Sequence, residues 1–362
     1  MDGQTLLLLS LAVSHRVALG AQVLAALTAS SAIGGPVMGA LLDRVRAPGR
    51  VIAAALGVYA VGFGILAVTL GHIPGWESMT LAVTAGCQTS TMSGGWSSRL
   101  PDVVAAGQID RASVVDAVSY DVAGLVGPAG AGLLVMAWGG IPVALLLSVL
   151  MLAAIPAAWR MPAVERRPSA NHGVLGEVWS GWRAIASSRA LRRVTLVSMS
   201  SYFGFGMVGA VAPVVAAATF GHAGLGGPLL SALALAALLA TAIYATRSDR
   251  VSPDLVVGLT PLIMAVGFGL LMTSSGVLAI VAMVALGVAD GPQLAAVFAV
   301  RHRESEDSNR GQIFMTGAST KLAAASLGMA FVGSLGASSI RQALLVAGAA
   351  ELAAAAVYLA LP

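Results

Sequence analysis

The chain has 362 residues, 57% apolar and 10% charged, with mean hydropathy +0.88 and a formal net charge of +4. A soluble globular protein carries roughly a quarter charged residues, so this composition excludes a water-exposed surface and leaves no basis for nucleic-acid binding. The one cysteine, Cys87, excludes an intramolecular disulfide and a thiolate metal cluster.

Apolar stretches near the about 20 residues needed to cross about 30 Å of hydrocarbon recur along the chain. The alternating segments of about 10 residues that build outer-membrane barrels are not visible. In chain order, Thr5 to Ser14 is too short to span. Full spans are predicted at Val17 to Leu42, Val51 to Leu70, Met79 to Ser97, Val115 to Trp138 and Ile141 to Trp159. After a longer polar segment come Val194 to Phe220, Gly224 to Ala245, Leu255 to Thr273, Val277 to Val300, Gln312 to Leu335 and Ala343 to Leu361. That makes eleven full spans and a partial first helix, so the start lies upstream of Met1 or this copy is degenerate.

Of the 20 basic residues, 19 are Arg and one is Lys321. When alternate loops are assigned to the cytoplasm, 17 Arg fall there, against only Arg16 and Arg341 opposite. Positive loops resist translocation, so this bias orients the chain with its C-terminus cytoplasmic. The longest polar stretch, Arg160 to Arg193, divides the chain into an N-terminal bundle (1–159), a linker (160–193) and a C-terminal bundle (194–362). Within the linker, from Gly173, Val174, Val178, Trp179, Trp182 and Ile185 share one helical face, with Glu177, Ser180, Arg183 and Ser187 elsewhere. That pattern predicts an amphipathic helix at the cytoplasmic interface, most simply a tether between the bundles.

Between the second and third helices stands Gly39-Ala40-Leu41-Leu42-Asp43-Arg44, followed by Arg46 and Arg50. Gly admits close helix approach, Asp ends the helix with a charge, and Arg answers it across a short loop. Ala245-Thr246-Arg247-Ser248-Asp249-Arg250 repeats the Asp-Arg spacing at the equivalent point of the second half, which argues for internal duplication. Here the chain resembles the major facilitator superfamily (MFS) of secondary transporters. Gly39, Asp43, Arg44, Arg50, Asp249 and Arg250 then stand for its conformational-switch loops, although Arg46 occupies a position where the family pattern has Gly.

Gly124-Leu125-Val126-Gly127-Pro128-Ala129-Gly130-Ala131-Gly132 in the fifth helix looks like the Gly-Pro motif of the proton-coupled drug-exporter branch. The competing reading is a Gly-rich packing helix bent at Pro128. The stretches Arg99 to Asp121 and Gly311 to Lys321 also look like actinobacterial permeases of this type. The resemblance extends from the truncated first helix to Pro362. It implies the fold and says little of the cargo.

Three ionisable residues lie where charge is expensive. Asp290 is 11 residues from Arg301, Lys321 is 11 from Arg310, and Glu351 is 10 from Arg341. Each is therefore about 15–17 Å from its interface, near the midplane. A lone charge there costs about 2.5–3.5 kcal/mol on insertion scales. Asp290 and Lys321 are at matched depth on consecutive helices and are predicted to pair, in a coupling or substrate pathway or as a packing lock. Glu351 has no evident partner. Asp116 and Asp121 are predicted to cap the fifth helix, with Asp121 a further candidate for the cytoplasmic mouth. Trp96, Trp138, Trp159, Trp179 and Trp182 are expected at interfaces. Glu304 to Asp307 is expected to be a solvated turn.

The five His are scattered without metal-ligand spacing, and no phosphate loop is present. The apolar spans predict an all-α membrane protein, and the resemblance implies the MFS fold, two six-helix bundles related by pseudo-two-fold symmetry. It is expected to act as a non-enzymatic secondary transporter, by proton-coupled efflux of small amphipathic compounds or drugs. No cofactor or metal is expected, and a proton gradient is the expected energy source. The expected partners are the lipid bilayer of the plasma membrane and a small-molecule substrate, with a monomeric protein and no nucleic acid. Proton-coupled metabolite uptake, or a transport-inactive sensor or partner role, are the alternatives.

Overall fold

The computed structural model describes residues 17–70, 72–105, 107–163, 174–222, 225–248, 250–335 and 340–360. The predicted partial helix at Thr5 to Ser14 lies outside them. Among the described residues all regular structure is helical. The helices are α1 (Val17–Arg44), α2 (Pro48–Thr69), α3 (Gly75–Ser90), α4 (Ile109–Trp138), α5 (Gly140–Ala153), α6 (Ile155–Trp159) and α7 (Val174–Ser187). They continue with α8 (Arg189–Phe220), α9 (Gly226–Ala245), α10 (Pro253–Leu271), α11 (Gly276–Glu304), α12 (Arg310–Leu335) and α13 (Ile340–Ala360). Seven of these stretches are long and apolar enough to cross a membrane: α2, α5 with α6, α8, α9, α10, α11 and α13.

Hydropathy marks where an apolar run begins, and the helix itself starts earlier wherever local chemistry allows. α8 opens at Arg189 because Ser188 supplies an N-cap, its Oγ accepting from Leu191 N. α10 opens at Pro253 after Ser252, whose Oγ accepts from Leu255 N. α4 begins at Ile109, which puts Asp110 in its first turn and carries Asp116 and Asp121 into the helix interior. The expected capping role of those two residues is therefore corrected, and Asp110 holds that position. The span predicted at Ile141 to Trp159 is two helices, broken at Ala154 ahead of Pro156. α3 runs on into a π turn at Thr91–Gly95.

The chain divides into two compact units, neither of them one continuous stretch. The first comprises Met1–Val103, Val126–Arg183 and Ser305–Ser319; the second comprises Val104–Leu125, Ala184–Glu304 and Thr320–Pro362. The opening half of α12 thus belongs to the first unit and its closing half to the second. In the first unit Val23, Leu27, Tyr59, Phe63, Leu66, Ala85 and Leu147 form a buried cluster, with Tyr59 and Phe63 stacked at 6.1 Å. In the second, Met207, Val211, Phe268, Met283, Leu286 and Ala347 do the same.

The two units share a packing device. α1 packs on α3 in the first, and α9 on α11 in the second. A methyl group at Gly86 of α3 would overlap the Leu27 carbonyl, and one at Gly287 of α11 would overlap the Leu233 carbonyl. Backbone meets backbone at corresponding helix pairs of the two sequence halves.

α7 confirms the predicted helix but shifts its buried stripe. Gly181 is buried against Gln312 of α12, and Ile185 is also buried, while Trp179 and Trp182 are exposed. The predicted apolar face is therefore split, because a glycine brings the backbone, and not the indoles, against the neighbouring helix.

Candidate functional site

In the first unit, three donors from two segments converge on one carboxylate. Asp43, at the end of α1, accepts through Oδ1 from Arg99 Nη2 at 3.2 Å and from Gly311 N at 2.8 Å. Its Oδ2 accepts from Gln312 N at 2.6 Å. Gly311 and Gln312 lie in the first turn of α12, where backbone N–H groups have no partner within the helix. Asp43 thus supplies both a negative charge for the positive helix end and acceptors for two orphan donors. The ion pair is almost fully dry, with side-chain exposures of 1% for Arg99 and 3% for Asp43.

Arg99 is held by more than Asp43. Its Nε donates to Ser98 Oγ at 3.0 Å, and its Nη1 lies 3.7 Å from Asp102 Oδ2. Burial presses the Arg99 guanidinium below the usual arginine range, and Asp43 and Asp102 push back. Burial likewise raises the Asp102 carboxyl, against the lowering effect of Arg99 and Arg310. Arg310 pairs with Asp307 at 2.6 Å, so the turn from Glu304 to Asp307 contributes an ion pair as well as solvation.

The glycines of this cluster are required by contact. A methyl at Gly39 would stand 2.9 Å from Gln312 Cα, and one at Gly311 2.5 Å from Asp43 Oδ1. Higher up the same contact, Ser319 Oγ donates to the Ser31 carbonyl at 2.8 Å and lies 3.0 Å from Ser90 Oγ.

The predicted switch residues therefore separate. Gly39 and Asp43 lie in the cluster. Arg44 and Arg50 are exposed, and the Arg50 guanidinium lies 5.7 Å from the centroid of the Trp159 ring. Arg99, 56 residues on and outside the loop of the motif, is an arginine that answers Asp43. Arg250 is exposed, and Asp249 lies outside the described residues. Arg99, Gly311 and Gln312 were not legible as partners, since each is ordinary at its own place in the chain.

The Gly-Pro stretch occupies the middle of α4. A methyl at Gly124 or at Gly130 meets nothing within 4 Å among the described residues, so these two are not packing glycines. Gly127 is buried; what surrounds Pro128 and Gly132 lies outside what is described.

The second unit holds the buried polar centre. Asp121 Oδ2 lies 2.5 Å from Thr241 Oγ1 on α9. Lys321 Nζ donates to Tyr202 OH at 3.1 Å and stands 4.2 Å from that ring's centroid. Asp290 and Lys321 form no ion pair among the described residues, so the predicted direct pairing is corrected: they share depth, but Lys321 turns toward α8. Glu351 is fully buried and does have a partner, its Oε2 accepting from Ser201 Oγ at 3.3 Å. Gln293 Nε2 in turn donates to Ser201 Oγ at 3.1 Å and to Thr260 Oγ1 at 2.9 Å. Four helices thus meet at one polar network. Tyr202, Ser201, Thr260 and Gln293 were missed; the one signal available was a Gln three residues after Asp290 inside an apolar run.

At the surface of the same unit Arg303 grips Asp254 through two bonds, 2.6 and 3.1 Å. Both side chains are roughly half exposed, at 48% and 42%. Asp254→Asn is expected to lower stability by less than about 1 kcal/mol, a change in Tm that shrinks further in high salt.

Comparison with known proteins identifies this helical chain as a membrane transporter of the MFS type. Residues 15–362 match the MFS_3 family, described as transmembrane secretion effector, and the chain belongs to that family. An uncharacterized MFS-type transporter, y4rN of Sinorhizobium fredii, is 28% identical over 345 residues, covering 90% of this chain and 82% of the relative. Among solved structures, a bacterial homologue of the iron transporter ferroportin in an outward-facing state aligns with TM-score 0.79 at 13% identity, over 99% of this chain and 96% of that one. The human organic anion transporter MFSD10 aligns with TM-score 0.77 at 15% identity, over 99% and 89%. The proton:xylose symporter XylE aligns with TM-score 0.78 at 13% identity, over 100% and 93%. At these identities the structural likenesses establish the fold alone.

Proposed function

We propose that the chain is a secondary transporter of the cell membrane that exports small amphipathic compounds by alternating access, driven by the proton gradient. The observation that carries this reading is the latch on α12, in which the Asp43 carboxylate takes Arg99 and two backbone N–H groups at once. α12 contributes to both compact units, so a carboxylate that holds or releases its N-terminus has two discrete states to choose between. The family description as a secretion effector supports the outward direction, as does the exporter-like Gly-Pro stretch of α4. Asp121, Asp290, Lys321 and Glu351 supply the ionisable groups at membrane depth that a coupled transporter needs. The Arg-rich loops favour a cytoplasmic position for the latch.

The test is transport in proteoliposomes loaded with amphipathic dyes of either charge. An imposed proton gradient is expected to drive dye movement in the export sense, and a protonophore to abolish it. Movement in the opposite sense would make the protein an uptake permease. No gradient-dependent movement of any dye by folded protein would sink the transport reading.

A further inference from the structure

We propose that the second unit carries an anion-recognition site centred on Arg301, and that the exported compounds bear a carboxylate or another oxyanion. This rests on the transport reading for its role, but the site itself is argued from one guanidinium.

Arg301 lies near the end of α11, is 3% exposed, and makes no hydrogen bond or ion pair among the described residues. Its Nη2 is buried without an acceptor. Among the described residues the other nearly dry arginines are served: Arg99 by Asp43, and Arg310 by Asp307. A buried guanidinium left unpaired is costly, whereas one waiting for a bidentate ligand is a common means of recognising carboxylates and phosphates.

A second cation acts on the same surroundings. Lys321 is within electrostatic range of Arg301, and the two share Tyr202. Lys321 donates to its hydroxyl, and Arg301 lies in range of the same side chain. The fold has thus brought together two like charges that repel one another. An anion between them would relieve both the repulsion and the missing hydrogen bonds.

The acids nearby do not fill that role. Asp290 and Asp116 are in range of Lys321, and Asp121 is engaged by Thr241. None of them makes an ion pair with Arg301 among the described residues. Arg301 has no such acid against it, and its five donors in a planar fork favour an oxyanion over a halide.

The experiment uses the purified full chain in nanodiscs, with carboxyfluorescein as the anionic probe and ethidium as the cationic one. Saturable binding of carboxyfluorescein by the wild type is expected, weakened about tenfold or more in Arg301→Gln. Lys321→Met should lose a smaller share, and ethidium binding should not weaken in either variant. A merely structural arginine would lower the Tm of the unliganded protein when replaced. Arg301→Gln is instead expected to hold or raise it, because a buried charge without a partner has been removed.

No saturable anion binding by folded wild type, or equal binding by folded Arg301→Gln, overturns the proposal. Where Arg301→Gln yields no folded protein, Arg301→Lys decides by the same comparison, since it keeps the charge and loses the fork. Anion binding without any gradient-driven movement would defeat the transport reading and leave this site standing. Gradient-driven movement of ethidium by a protein that binds no carboxyfluorescein would do the reverse.

Discussion

Asp43→Asn is expected to abolish gradient-driven transport and to lower the Tm more than any other single change of charge in the molecule. The carboxylate takes three donors, two on Oδ1 and one on Oδ2. An amide of the same shape must set its own NH2 either against Gln312 N or against the Arg99 and Gly311 donors. The lost helix-end charge is worth only about 0.3–1 kcal/mol. The larger cost is Arg99, which stays 1% exposed and keeps only a neutral hydroxyl, Ser98 Oγ, and a more distant carboxylate, Asp102 at 3.7 Å. Breaking a buried pair by removing one partner costs about 3–5 kcal/mol, so the orphaned guanidinium decides the outcome. Asp43→Asn combined with Arg99→Leu is then expected to recover most of the Tm, because no unpaired charge remains. Transport is not expected to return with it, since a latch without its charge no longer has two distinct states. A double variant that transports as well as the wild type would show the pair to be structural support.

How much of this was legible in the sequence follows from what kind of information each feature needs. Span order and helix type could be read because burial in lipid imposes a run of apolar residues, which is local. Helix starts were misplaced at α4 and α8 because a helix continues into polar residues wherever a cap such as Ser188 satisfies its first turn. Asp43 stood out through its glycine and its repeat, but its partners lie 56, 268 and 269 residues away. No spacing rule reaches that far. The intramembrane charges show a second limit. Counting residues from an interface gives depth but not direction around the helix axis, so Asp290 and Lys321 were matched in height while Lys321 points to Tyr202. Glu351 looked isolated because its partners are Ser201 and, through it, Gln293 and Thr260, which are polar but carry no charge to notice. Arg301 was counted only as a loop arginine. Its isolation is visible only once its surroundings are.

The second large effect concerns glycines, and it separates packing from function. Gly86→Leu is expected to yield no folded protein, and Gly86→Ala a marked fall in Tm. A Cβ at Gly86 would overlap the Leu27 carbonyl, and the facing Gly34 leaves no more room, since a methyl there would overlap the Cys87 backbone. Overpacking against side chains costs about 1–3 kcal/mol because rotamers can shift. Backbone atoms cannot turn aside, so α1 and α3 would have to separate along the whole contact. Gly124→Ala and Gly130→Ala make the opposite case, for among the described residues nothing stands within 4 Å of a methyl at either. Alanine is favoured over glycine in a helix interior by about 1 kcal/mol, so each variant is expected to keep or raise the Tm. Their transport rates then carry the information that stability does not. If both transport normally, the glycines of α4 are incidental to function. If transport falls while the Tm holds, they are needed for a motion of α4 during the cycle and not for its packing. A Gly86→Ala protein with unchanged Tm would refute the close approach of α1 and α3, and with it the argument that the two halves pack by the same device.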